Sequence, residues 1–98
     1  MELPTTPGNK ELGRAIRRLR RKQRVTIEEL AHTADIHPTY LSGIERGIRN
    51  PTWAKLVNLA HGLGTPVSNL ARDAEVEAQL SARMQAARNE LDLSEGYG

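Results

Sequence analysis

Residues 26–47 read TIEELAHTADIHPTYLSGIERG, and the fold turns on this stretch. Thr26 followed by Glu29 is a capping box, in which each side chain satisfies a backbone donor at a helix start. Leu30, Ala31 and Ala34 then supply an apolar stripe. Asp35 accepts a left-handed or turn conformation more readily than most residues, so the helix is expected to end near Ala34. Pro38 suits the first position of the next helix, where its missing N–H costs nothing. Leu41 and Ile44 are expected to face inward, and Gly47 to close the helix in a left-handed cap. Two short helices are thus separated by a turn of about three residues, Asp35-Ile36-His37, which is a helix-turn-helix by spacing.

Upstream, Leu12, Ala15, Ile16 and Leu19 recur at i, i+3, i+4, i+7, which predicts a helix over 10–23 with Asn9 as its N-cap. Arg14, Arg17, Arg18, Arg21 and Lys22 cover its other faces. Residues 1–9, MELPTTPGN, read as a flexible arm, and they carry no basic residue before Lys10. Downstream, IRNP at 48–51 is a loop, and Thr52 caps a fourth helix running to about Leu63. Its inward face is read as Trp53, Leu56, Leu59, Ala60 and Leu63, with Trp53 assigned to the core. Thr65 and Pro66 restart a short fifth helix with Val67 and Leu70 inside.

Residues 72–93 place Val76, Leu80, Met84, Ala87 and Leu91 on one stripe, predicting a further helix. It either folds back on its own domain or pairs with a second copy. Residues 94–98, SEGYG, are expected to fray. The expected fold class is all-α: a five-helix helix-turn-helix domain over 10–71 with an additional C-terminal amphipathic helix.

Ninety-eight residues leave room for one small domain and a tail. A domain near 60 residues buries only ~60% of the surface its unfolded chain exposes, so modest stability is expected. The sequence lacks the run of ~18 apolar residues that a membrane span needs, and its first residues lack the apolar core of a secretory signal. With no cysteine there is no disulfide scaffold and no thiolate zinc site. The expectation is a soluble, cytoplasmic protein. Its charge is uneven: residues 10–55 carry eleven Lys/Arg against five acids, whereas residues 56–98 carry three against six. A basic front and acidic back point to an anionic partner for one face, a nucleic acid or a membrane surface.

The run from Leu12 to Leu70 resembles the phage-repressor/Cro-like family of helix-turn-helix regulators, also called the xenobiotic-response-element family. The residues that carry the resemblance are Ile16, Leu19 and Arg20, then TIEELA at 26–31, YLSGIERG at 40–47, NPT at 50–52 and LVNLAHGL at 56–63. The stretch TYLSGIERGIRNPT looks most like regulators of the restriction–modification controller type.

The resemblance implies that the third helix lies in a DNA major groove with its N-terminal residues nearest the bases. Counted from Pro38, the outward positions are then Pro38, Thr39, Ser42 and Gly43. With Arg49, which matches a DNA-contacting position of the controllers, these are the base-reading candidates. Arg14, Arg17, Thr26, His37, Tyr40, Arg46 and Asn50 are the candidates for the DNA backbone. For Tyr40 the packing role, half-buried with its hydroxyl at the surface, is preferred over phosphate contact. Arg20 and Glu45 match a family pair that joins the first and third helices internally.

Four positions depart from the family pattern. Pro38 and Gly43 stand where relatives place Gln, Arg or Asn, which leaves few direct readers and suggests broad specificity aided by DNA shape. Ile27 replaces a common Gln and reads as an extra core or staple residue. Asp35 replaces a common turn glycine, whose conformation Asp tolerates.

His32, His37 and His61 show no i, i+3 or i+4 pairing, so no metal site or cofactor is expected. No nucleophile–base set, phosphate loop or paired carboxylate points to an enzyme. The expected partners are double-stranded DNA and a second copy of the chain, with two recognition helices ~34–36 Å apart. The alternative is a protein-interaction module, antitoxin-like or scaffolding, that uses the same fold and docks a protein through 73–91.

Overall fold

The computed structural model describes residues 6–96, with side chains through Leu91. The chain forms α1 (Asn9–Lys22), α2 (Ile27–Ala34), α3 (Pro38–Glu45), α4 (Trp53–Gly62) and α5 (Val67–Gly96). Every regular element among the described residues is helical. Residues 1–5 of the expected arm and 97–98 of the expected tail lie outside them.

Local chemistry sets most boundaries. Thr26 Oγ1 accepts the Glu29 N–H at 3.1 Å, so one half of the capping box forms. Asp35 ends α2 in the left-handed region, with φ 56° and ψ 50°. Pro38 is the first residue of α3, and Gly47 follows its end at φ +77°. Thr52 Oγ1 accepts the Lys55 N–H at the start of α4. The cap of α1 is Gly8 rather than Asn9, and the Glu11 carboxylate accepts the Gly8 N–H at 3.2 Å.

The core is one cluster built from every helix: Ile16 of α1, Leu30, Ala31 and Ala34 of α2, Leu41 and Ile44 of α3, Leu59, Ala60 and the adjoining Leu63 of α4, and Leu70 of α5. Leu12, Leu19, Ile27, Ile36, Tyr40, Leu56 and Val67 pack around it, half-buried. Trp53 does not join it. Its side chain is 70% exposed, because the core takes up α4 only from Leu56 onward and Trp53 stands at the helix's first position.

The expected short fifth helix and separate C-terminal helix are one continuous helix of 30 residues. No Gly or Pro interrupts the chain between Val67 and Leu91, so nothing stops the helix after Leu70. At 1.5 Å per residue α5 is ~45 Å long. It continues through Gly96, into the stretch expected to fray.

Its docked face also differs from the apolar stripe. Leu70 fixes the helix in the core, and the residues that follow on that side, Ala74, Glu77 and Ala78, are buried. They pack against α1 in antiparallel fashion, with Arg14 bonded to Ser81 and Arg18 paired with Glu77. Val76, Leu80, Met84 and Leu91 are left 41–67% exposed. Beyond Ser81 every described side chain of α5 is exposed. Among the described residues no helix is long and apolar enough to cross a membrane.

Candidate nucleic-acid interface

The turn between α2 and α3 is tied down from behind by α4. Lys55 Nζ donates to the Asp35 carbonyl at 2.9 Å, and Asn58 Nδ2 donates to the Ala34 carbonyl at 3.2 Å. These bonds satisfy carbonyls that the end of α2 leaves without a helical partner. Ile36 tucks its side chain against the core, and His37 then opens α3, its Nδ1 accepting the Thr39 N–H at 3.1 Å. That bond requires an unprotonated Nδ1.

At the other end α3 is pinned to α1. A Cβ on Gly13 would fall 2.6 Å from the Glu45 carbonyl oxygen and closer still to that of Ile44. Only a glycine lets α1 approach α3 so closely. Beside this contact, Arg20 and Glu45 form a two-toothed ion pair, Nε to Oε2 at 2.7 Å and Nη2 to Oε1 at 3.0 Å. Arg20 Nη1 also donates to the Val25 carbonyl at 2.9 Å. Both side chains are nearly buried, at 11% and 3% exposure. The Glu45 hydrogen bonds outweigh desolvation and raise the Arg20 guanidinium above its ordinary pKa, keeping it charged.

The consequence for charge is direct. Glu45 is the sole acid on α3, and it points inward against a cation. The outer side of α3 presents exposed Thr39, half-buried Pro38 and Ser42, and exposed Arg46. Arg17, Arg21, Ile27, Ser42 and Arg46 line a shallow cleft over the Arg20–Glu45 pair. Arg21 is an addition to the residues singled out by sequence; its i, i+4 spacing from Arg17 was the available signal. The exposed acids of this region are Glu28 and Glu29, in the first turn of α2, where they suit the helix dipole, and Asp35 in the turn before α3.

Several sequence-derived positions fall elsewhere. Gly43 does not face outward: it is buried, covered by the stem of Arg49. Helical counting placed it on the open face, but the loop after α3 folds back over it, with the Ile48 and Arg49 N–H groups both donating to its carbonyl. Arg14 lies on the α5 side of α1, where its Nη1 donates to Ser81 Oγ at 3.0 Å. Tyr40 is half-buried against the core, and its hydroxyl donates to the Asn50 carbonyl at 3.1 Å, bracing the loop that carries Arg49. Thr26, His37, Arg49 and Asn50 are exposed. Among the described residues no group of three His, Cys, Asp or Glu side chains could hold a metal ion.

Comparison with known proteins places this geometry among regulators. Residues 11–72 match a family model described as a helix-turn-helix domain. The chain is 28% identical over 97 residues to the immunity repressor protein of Bacillus phage phi105, covering 87% of this chain and 67% of the repressor. The crystal structure of the clp gene regulator ClgR from Corynebacterium glutamicum superposes with a TM-score of 0.86 at 31% identity, over 88% of this chain and 92% of ClgR. The restriction–modification controller protein C.Esp1396I, solved as a tetramer with its natural 35 base-pair operator, superposes with a TM-score of 0.67 at 28% identity, over 72% and 93% of the two chains. The chain therefore belongs to the helix-turn-helix domain family, related to the phage repressors and the restriction–modification controllers.

Proposed function

We propose that the chain is a DNA-binding transcriptional regulator that acts as a homodimer and lays α3 in the major groove of a palindromic operator. The observation that carries this reading is the charge arrangement of α3. Its acid is turned inward and neutralised by Arg20, while Thr39, Ser42, Arg46 and the neighbouring Arg17, Arg21 and Arg49 face outward. A surface of short polar groups ringed by arginines matches a duplex groove walled by phosphates. The relative C.Esp1396I has been solved on its operator, which supports the same use here.

In this reading Thr39 and Ser42 touch base edges, Pro38 makes apolar contact and Arg49 is the long base reader. Arg17, Arg46, Asn50, His37 and the Thr26 end of α2 face the phosphates. Tyr40 supports the reading loop from within, and Arg14 serves the α1–α5 seam. Residues 10–71 bind DNA, and α5 beyond Arg72 pairs two copies through its exposed stripe. Such a regulator works in the cytoplasm, beside the chromosome.

A second reading, a protein-interaction module, draws on that same stripe. Val76, Leu80, Met84 and Leu91 offer an apolar line to a different protein as well as to a second copy. Selection of bound duplexes from a random-sequence pool at physiological salt separates the two. Enrichment of a two-fold palindrome with half-site centres ~10 bp apart, or a multiple, establishes the dimeric regulator. No retention at all establishes the interaction module as the better reading.

A further inference from the structure

A glycine inside a helix costs stability relative to alanine, so Gly43, in the middle of α3, calls for a reason. The fold supplies none through its backbone angles, since Gly43 lies in the regular run of α3 and carries no positive φ. What it supplies is room. A Cβ at this position would lie 2.6 Å from Arg49 Cγ, 3.5 Å from Arg49 Cβ and 3.8 Å from Arg49 Cδ. The Arg49 stem therefore lies flat on α3 where a side chain of residue 43 would otherwise stand. Residue 43 is one helical turn beyond Thr39, on the same face. The loop is held there by two bonds, from the Ile48 N–H at 2.9 Å and the Arg49 N–H at 3.1 Å, to the one Gly43 carbonyl.

We infer that Gly43 is a positioning residue for base recognition: by having no side chain it seats the Arg49 stem across α3 and aims its guanidinium at a guanine in the major groove. The inference rests on the DNA-binding reading above. The helix that looks poor in readers borrows one from the loop. The forked guanidinium pairs with the O6 and N7 acceptors of guanine, and losing that pairing is expected to cost about tenfold in affinity. Thr39 and Ser42, with short side chains, cannot supply that pairing.

The test compares wild type, Gly43→Ala, Arg49→Ala and the double variant. Each is put through selection from a random-sequence duplex pool, then titrated on the wild-type's enriched duplex and on a scrambled duplex of equal composition. Thermal melting of all four runs alongside. Wild type is expected to enrich a guanine within each half-site. Arg49→Ala and Gly43→Ala are each expected to lose about tenfold on the enriched duplex and to erase preference for that same guanine, with little change on the scrambled one. The double variant is expected to bind no worse than Arg49→Ala, because the two substitutions remove one contact.

Melting checks the steric part. With Arg49 Cγ gone, an alanine at 43 meets Arg49 Cβ at an ordinary 3.5 Å, so the double variant should melt no lower than Arg49→Ala. A Gly43→Ala protein that fails to fold but is restored by adding Arg49→Ala supports the same contact. A folded Gly43→Ala protein that keeps the guanine preference, or losses that multiply in the double variant, overturns the inference. Wild type retaining no duplex overturns the DNA-binding reading, and the assignment of Gly43 with it.

Discussion

Glu45 offers both of its carboxylate oxygens to Arg20, which lies 25 residues earlier in the chain, at 2.7 and 3.0 Å. With Glu45 only 3% exposed, the pair neutralises α3 from within and joins it to α1.

Glu45→Ala leaves the Arg20 guanidinium nearly buried without its counter-charge. The expected cost is ~3–5 kcal/mol, the range for breaking a buried pair from one side. For a domain of this size that lowers the melting midpoint by more than about 10 °C. Thermal denaturation followed by circular dichroism checks it, and a midpoint within a few degrees of wild type would show the pair to be dispensable.

Gly13→Ala carries opposing effects. Alanine improves helix propensity by up to ~1 kcal/mol, but its methyl group would press on the Ile44 and Glu45 carbonyls, and overpacking of this kind costs ~1–3 kcal/mol. Clashing with backbone rather than with a movable side chain, the methyl is expected to lower stability. Urea denaturation gives the sign.

Thr39→Ala removes a short polar side chain at the exposed N-terminal part of α3. The expected result is several-fold weaker binding to the enriched duplex with scrambled duplex unaffected. Equal weakening on both would assign Thr39 to the backbone. Arg17→Ala is expected to do the opposite, weakening both alike and reducing the log–log salt slope by ~0.9.

Glu77 is buried against α1, and Arg18, 65% exposed, reaches it at 2.6 Å; yet the Glu77 oxygen has no aligned hydrogen-bond donor. The contact is charge attraction without a well-directed bond. Replacing both partners, Arg18→Ala with Glu77→Met, is therefore expected to leave the melting midpoint unchanged or higher, whereas Arg18→Ala alone lowers it.

Removing residues 83–98 spares Ala74, Glu77, Ala78 and Ser81 and takes away the part of α5 whose described side chains are all exposed. The shortened chain is expected to keep the wild-type melting behaviour of the domain and to sediment as a monomer. A dimer that survives the truncation would confine the pairing surface to Val76 and Leu80 on the remaining part of α5 or move it to exposed Trp53 and Val57 on α4.

The turn and the two helices around it were legible because their signals are local. Thr26, Asp35, Pro38 and Gly47 act on their own backbone, so their residue types suffice. Positions decided by distant chain were not legible. Nothing near Gly43 announces that residues 48–49 fold back over it. Trp53 has the right spacing for the core but stands at the start of α4, before the packing begins. The α5 stripe is a real amphipathic pattern, but periodicity reports that a face is apolar and is silent on what covers it. The docked side is instead marked by small residues, Ala74 and Ala78, which let α5 lie close to α1.

Helix α1 is a shared wall, with α5 along one side and the end of α3 against the other. At Gly13 no side chain cushions the second contact, so a displacement of α1 is expected to carry α3 with it. The part of α5 beyond Ala82 is then expected to act as a lever on the α1–α3 pair. A tilt of about 10° over the roughly 20 Å of helix beyond Ala82 swings its tip by ~3–4 Å, while the docked half near the fulcrum shifts far less. Force applied to the tip is expected to reach α3 geared down, as a small displacement.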